Sequence, residues 1–189
     1  YVAEVKAGEP WMPGTLVPYA DFSISPAAGV LNYGQGLFEG MKAYRTEADR
    51  IVFFRPEENA RRMQAGADRL RMPPVPESLF VDAVEQVVHA NRDWVPPCGR
   101  GALYVRPILF GSGPVLGVSP APSFTFMVYC TPVGPYFKGG MNAISLVISE
   151  DHHRAAPGGS GGVKAIGNYA PGMMPSYAAK AAGYAEVIY

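Results

Sequence analysis

The stretch GGVKAIGNYAP, residues 161–171, places one lysine, Lys164, after a run of glycines and a tyrosine, Tyr169, five residues later. A lysine in that setting has three chemical readings. A phosphate-binding loop requires Gly-Lys followed directly by Ser or Thr, so that ammonium and hydroxyl reach phosphate and Mg²⁺. Val163 separates the last glycine from Lys164 and Ala165 has no hydroxyl, which counts against nucleotide binding. A solvated lysine in a flexible loop is the plainest reading of the loop taken alone. The third reading is a Schiff-base amine. Such a nucleophile must be deprotonated, which an enclosed, partly apolar site favours, and it must swing between two tasks, for which nearby glycines leave room.

The third reading asks for particular companions. Tyr169 could donate to the phenolate oxygen of a pyridoxal ring, and Arg61 and Arg62 could clamp its phosphate, since a guanidinium binds phosphate oxygens as a fork. Other candidates are weaker. His152 and His153 have no spaced carboxylate or thiol to complete a zinc site, and a structural role suits them better. Ser160 lies in GGSGG, which is not the GxSxG nucleophile elbow. Glu39 in FEG reads as ionised and hydrogen-bonded, with no chemistry assigned. Arg61, Arg62, Arg69 and Arg71 make a locally basic helix whose default is a solvated face.

The elements that must position these groups follow from periodicity. IVFFRP (51–56) has the β-branched and aromatic content of a strand. Pro56 suits a helix's first turn, and the helix continues with Met63, Ala67 and Leu70 on one face until the prolines at 73, 74 and 76. A second helix over 77–94 carries Phe80, Ala83, Val84 and Val87 on its core face, and Pro96-Pro97 stop it. Strands are predicted over 102–111, 123–134 and 143–149, then a helix from about Pro171 to Ala182 capped by Gly183, then a strand in AEVIY. Tyr104 and Arg106, two apart, share one face of their strand. GPYFKGG (134–140) reads as a linker.

Composition bounds the rest. The chain has 189 residues, 48% hydrophobic and 17% charged, with 22 glycines and 19 prolines, which suits an α/β or α+β globular protein rich in turns. Sixteen basic and sixteen acidic residues cancel, so nothing in the charge calls for a nucleic-acid partner. No apolar run approaches the roughly 20 residues that cross a bilayer, so no membrane partner is expected. Cys98 and Cys130 form no CxxC pair, and a reducing intracellular compartment is the easier reading. The first residues match neither a secretory signal nor a transit segment. The chain starts without methionine and stops in a strand-like run, so both ends read as cut and the chain as a fragment.

Five blocks in order, LNYGQGLFEGMKAYR (31–45), FRPEENARRM (54–63), LYVRPILFGSGPVLGV (103–118), PVGPYFKGG (132–140) and GGVKAIGNYAP, resemble the branched-chain amino-acid aminotransferases. These are pyridoxal-phosphate enzymes of fold type IV, and the wording looks closest to plant and bacterial members. The resemblance implies a small N-terminal α+β domain over 1–133, a linker over 134–140, and over 141–189 the incomplete start of a larger cofactor-binding domain.

It also assigns roles, position by position. Lys164 matches the Schiff-base and catalytic lysine, Tyr169 the tyrosine bonded to the cofactor's O3′, and Arg62, not Arg61, the phosphate-binding arginine. Tyr33, Phe38, Tyr104, Arg106 and Tyr136 match substrate-pocket positions, with Tyr33 reaching the pocket of a partner subunit in a homodimer. The implied reaction moves an amino group between leucine, isoleucine or valine and 2-oxoglutarate, with no metal. Phe38 and the tyrosines would line the aliphatic slot, and Arg106 with the Tyr33 and Tyr136 hydroxyls would receive the glutamate carboxylate. Family members run on past AEVIY and carry there the glutamate that pairs with the pyridine nitrogen, so this chain alone should be nearly inactive. A D-amino-acid aminotransferase, an aminodeoxychorismate lyase, or a non-catalytic binding fragment are the alternatives. The compartment expected for a plant or alga is the chloroplast, otherwise the cytoplasm.

Overall fold

The computed structural model describes residues 1–135 and 142–189. Its main sheet is built from β1 (Val2–Lys6), β2 (Gly36–Phe38), β3 (Met41–Arg45), β4 (Ile51–Val52), β5 (Ala102–Gly111) and β6 (Ser123–Val133). The strand order is β1-β6-β5-β3-β4, with β2 also on β5, and every pairing in this sheet is antiparallel. The long β5–β6 pair forms because both segments alternate bulky residues at period two. Leu103, Val105 and Leu109 of β5 and Phe124, Phe126 and Val128 of β6 are buried on one face. Helices α2 (Pro56–Arg69) and α3 (Glu77–Ala90) cover that face with Met63, Ala67, Phe80, Ala83, Val84 and Val87, all buried in the same cluster. Phe80 packs on Phe126 with ring centroids 5.8 Å apart.

The other face is the one that matters for chemistry. On β5 it carries Tyr104, Arg106 and Ile108, all half-buried. β2 and β3 lie end to end along β5 in one register: Phe38 pairs with Ile108 and Met41 with Val105, which sets Gly40 across from Arg106. The ladder breaks between the two strands because Pro107 has no N–H to give, while the Glu39 amide still donates to its carbonyl at 2.8 Å.

After the main sheet come β7 (Leu146–Ile148), α4 (Met173–Ala181) and β8 (Glu186–Ile188), with β7 and β8 parallel. Gly183 follows α4 at φ +86°, a left-handed stop that glycine adopts without steric cost. Short helix α1 (Gly29–Tyr33) precedes β2. Most of the expected linker, and Tyr136 with it, lies outside the described residues.

Several elements differ from expectation in length. The strand expected over 51–56 ends at Val52, because Arg55 turns to φ +49° ahead of Pro56 at the start of α2. The helix expected to reach Trp94 ends at Ala90, and a separate 3-10 turn, Arg92–Trp94, follows Asn91. β1, α1, β2 and β3 were not expected. No helix among the described residues is long and apolar enough to cross a membrane.

Candidate active site

The loop bearing Lys164 is bound to the sheet through its backbone. The Phe38 amide donates to the Lys164 carbonyl at 3.2 Å, and Leu37 and Ala165 form an antiparallel bridge. Asn168 braces the loop from within: its Nδ2 donates to the carbonyls of Ser160 (2.7 Å) and Val163 (2.9 Å), and its Oδ1 accepts from the Ser160 hydroxyl at 2.6 Å. Ser160 is thereby a strut. Arg69 of α2 donates to the Gly158 carbonyl at 2.9 Å, tying the glycine run to the helix.

Around the lysine the side chains converge. Lys164 is half-buried, and its Nζ lies 4.5 Å from the Phe38 ring centroid and 3.5 Å from the Tyr169 hydroxyl. Phe38 and Tyr169 have ring centroids 4.7 Å apart. Arg106 comes to the same Phe38 ring at 4.4 Å and donates to the Tyr104 hydroxyl through Nε (3.3 Å) and an Nη (2.8 Å). Lys164, Tyr169, Phe38, Tyr104 and Arg106 are thus one contiguous group drawn from β2, β5 and the glycine loop. Cation–π attraction contributes about 0.5–2 kcal/mol per pair, depending on desolvation.

Arg61 and Arg62 take different directions. Arg61 is exposed and spends its donors on Glu77 (3.0 Å) and Glu58 (2.8 Å). Arg62 reaches Glu39, donating from Nε and an Nη to the two carboxylate oxygens at 2.6 Å each. Glu39 is fully buried, whereas the Arg62 side chain remains 55% exposed. Hydrogen bonding to Glu39 holds the guanidinium above its ordinary value; burial opposes this, and the Tyr169 oxygen adds a small electrostatic pull from the lysine side. Asn59 Nδ2 and the Gly40 amide also donate to Glu39, at 2.9 and 3.3 Å, so the buried carboxylate is saturated.

Glu39 is the site residue that sequence reasoning left without a role. The signal was present: Leu37, Glu39 and Met41 alternate onto the helix-covered face, where an ionised group needs a cation. Tyr33 ends α1, is 43% exposed, and does not join the lysine group within this chain. Arg154 lies 5.2 Å from the Tyr169 ring centroid, a further cation at the rim. Among the described residues no three His, Cys, Asp or Glu side chains gather as a metal site.

A sheet edge presenting lysine, tyrosine and arginine from a glycine loop onto an antiparallel β-fold defines a class of enzyme. The chain belongs to the family Amino-transferase class IV, whose match spans residues 36–189. It is 53% identical over its whole length to the branched-chain amino acid aminotransferase 2, chloroplastic, of Humulus lupulus, and covers 46% of that protein. It is 50% identical, again over its whole length, to a methionine aminotransferase of Arabidopsis thaliana, covering 53% of it. Among solved structures, the T.th. branched-chain amino acid aminotransferase with pyridoxamine 5′-phosphate superposes with a TM-score of 0.75 at 26% identity, over 98% of this chain and 58% of that one. The fold is therefore that of the fold type IV aminotransferases. The chain spans about half the length of the curated relatives it matches.

Proposed function

We propose that the protein containing this chain uses pyridoxal 5′-phosphate to transaminate branched-chain L-amino acids against 2-oxoglutarate. The observation that carries this reading is the convergence of Lys164 and Arg106 on one face of the Phe38 neighbourhood, an amine for chemistry beside a cation for recognition. The donor set fits the cofactor: an amine, a phenol 3.5 Å from it, and a half-exposed guanidinium held in place from behind by a buried carboxylate. The names of the Humulus and T.th. relatives point the same way.

When bound, pyridoxal 5′-phosphate supplies an electron sink for the charge left at the substrate Cα. The chain's own residues do the rest. Lys164 Nζ attaches the cofactor and, once released, takes the Cα proton and delivers it onward as a general base and acid. Tyr169 donates to the cofactor's phenolate oxygen and keeps its ring against Phe38. Arg62 offers its outward donors to the phosphate. Phe38 and Tyr104 wall the aliphatic side chain, and Arg106 receives the second carboxylate when the substrate is glutamate. Tyr33 serves a partner subunit's site in a homodimer, and Tyr136 completes the substrate slot. The two-domain division, 1–133 and 141–189 about the linker 134–140, belongs to this reading. So does a chloroplast location for a plant or alga source, which rests on the name of the Humulus relative.

The test is borohydride trapping on the full-length protein. Pyridoxal 5′-phosphate is added, the adduct reduced, the protein digested and the modified peptide located by mass. Label on Lys164, with turnover of L-leucine that Lys164→Arg abolishes, is the expected result. Label scattered over surface lysines overturns it. The methionine aminotransferase relative makes L-methionine a necessary member of the substrate panel, beside D-alanine and aminodeoxychorismate.

A further inference from the structure

Arg106 is fixed in an unusual way for a cation. Two of its donors go to one neutral acceptor, the Tyr104 hydroxyl, at 3.3 and 2.8 Å. Its guanidinium also lies 4.4 Å from the Phe38 centroid and 5.2 Å from that of Tyr104. Among the described residues it takes part in none of the ion pairs. An arginine aimed by a hydroxyl and two rings keeps its full charge for an incoming anion, which a carboxylate partner would have neutralised.

Where that charge points depends on where the Tyr104 hydroxyl sits, and it sits over Gly40. Lys42 is the residue across from Tyr104, so the ring leans along the strand to the diagonal position, over Gly40. A Cβ on residue 40 would collide with the hydroxyl oxygen and stand 2.9 Å from Cζ and 3.2 Å from Cε2 of the same ring. Gly40 is not among the glycines at positive φ, so the backbone itself would accept another residue. What position 40 requires is empty space.

We propose that Gly40 is a specificity-determining residue: its missing side chain forms the slot that seats the Tyr104 hydroxyl, and thereby aims Arg106 at the distal carboxylate of a dicarboxylate substrate. The inference rests on the transaminase reading above and extends it to a residue that touches neither cofactor nor reacting atoms. Gly40 is a positioning residue acting through two others. An aliphatic substrate makes no use of the Arg106 charge, so the arrangement bears on one half of the exchange and not the other.

The test uses the full-length holoenzyme. Single-turnover half-reactions with L-glutamate and with L-leucine are measured for wild type, Gly40→Ala and Tyr104→Phe. Loss of an aimed charge-assisted contact lowers the glutamate-to-leucine ratio of kcat/KM by about tenfold to a hundredfold, in both variants. Calorimetric binding of glutarate and 4-methylvalerate supplies a readout without turnover, and the glutarate dissociation constant alone should rise about tenfold or more. Tyr104→Phe introduces no clash, so it decides the matter if Gly40→Ala folds poorly. Equal losses for both substrates, or an unchanged ratio in both variants, overturn the inference while leaving the transaminase reading intact. Wild type that turns over neither substrate overturns both.

Discussion

Glu39, fully buried, and Arg62, whose side chain is 55% exposed, form a two-pronged ion pair with both contacts at 2.6 Å. The carboxylate is the anchor and the guanidinium the presented group. Two effects compete when Glu39 is neutralised. Freeing an arginine side chain restores up to about 2 kcal/mol of rotamer entropy that phosphate binding must then remove. Removing a nearby negative charge favours phosphate by about 1 kcal/mol in water-like surroundings. The first is larger, so Glu39→Gln is expected to weaken pyridoxal 5′-phosphate binding several-fold while leaving pyridoxal, which lacks the phosphate, unaffected. Fluorescence titration of the apoenzyme with the two compounds checks this. Tighter phosphate binding in the variant would show that charge, not aim, dominates.

The lysine loop should owe its shape to Asn168. Asn168→Ala removes two donated hydrogen bonds and one accepted from Ser160. At about 1 kcal/mol for each bond, the loop over 157–168 should exchange its amide hydrogens at least tenfold faster, and the cofactor should dissociate faster on dialysis. Hydrogen-exchange mass spectrometry reads the first effect directly. Unchanged exchange would mean that the backbone ties at Phe38 and Leu37 alone hold the loop.

Much of this architecture was readable because it is local. Pro56, the Phe80–Val87 face of α3 and the alternation in β5 and β6 each announce an element within one window of sequence. What stayed hidden is short or distant. β2 has three residues and owes its existence to pairing with β5 some seventy positions on, so no propensity within GLF predicts it. Phe38 and Lys164 meet because a backbone bond joins segments far apart in the chain. The role of Glu39 depends on Arg62 lying one helix away, and the need for Gly40 depends on the lean of the Tyr104 ring. The lysine and tyrosine of the glycine loop were legible as chemistry, but their recognition partners emerged only with the sheet.

Cys130 gives a pH dependence with a definite sign. Burial pushes its thiol up, and the nearby amino terminus offsets this only in part. Below the ordinary thiol value of about 8.5, both folded and unfolded chains hold the proton and the residue contributes nothing to the slope. Above it, the unfolded chain loses the proton first, so stability falls as pH rises, by at most about 1.4 kcal/mol per pH unit. Urea melts at pH 7 and pH 10 should show a larger loss for wild type than for Cys130→Ser, and exposed Cys98 should react first with a thiol reagent. Equal losses in both proteins would remove Cys130 as the cause.

Phe38 is where the two functions of the site meet, since Lys164 lies 4.5 Å and Arg106 4.4 Å from its ring centroid. Replacing it by leucine keeps an apolar wall but removes the aromatic face that both cations use. At about 1 kcal/mol per cation–π contact, Phe38→Leu should lower kcat/KM for L-leucine and for L-glutamate by about fivefold or more each. Phe38→Tyr keeps the face and should stay close to wild type unless its added hydroxyl finds no partner. The contrast with Gly40→Ala is the informative part. A change at 40 alters the ratio between substrates, because it redirects one arginine, whereas a change at 38 lowers both, because the ring supports the amine as well. Half-reaction rates for the two variants, measured side by side, distinguish these patterns. If Phe38→Leu shifts only the ratio, the ring serves recognition alone and Lys164 is placed by its loop.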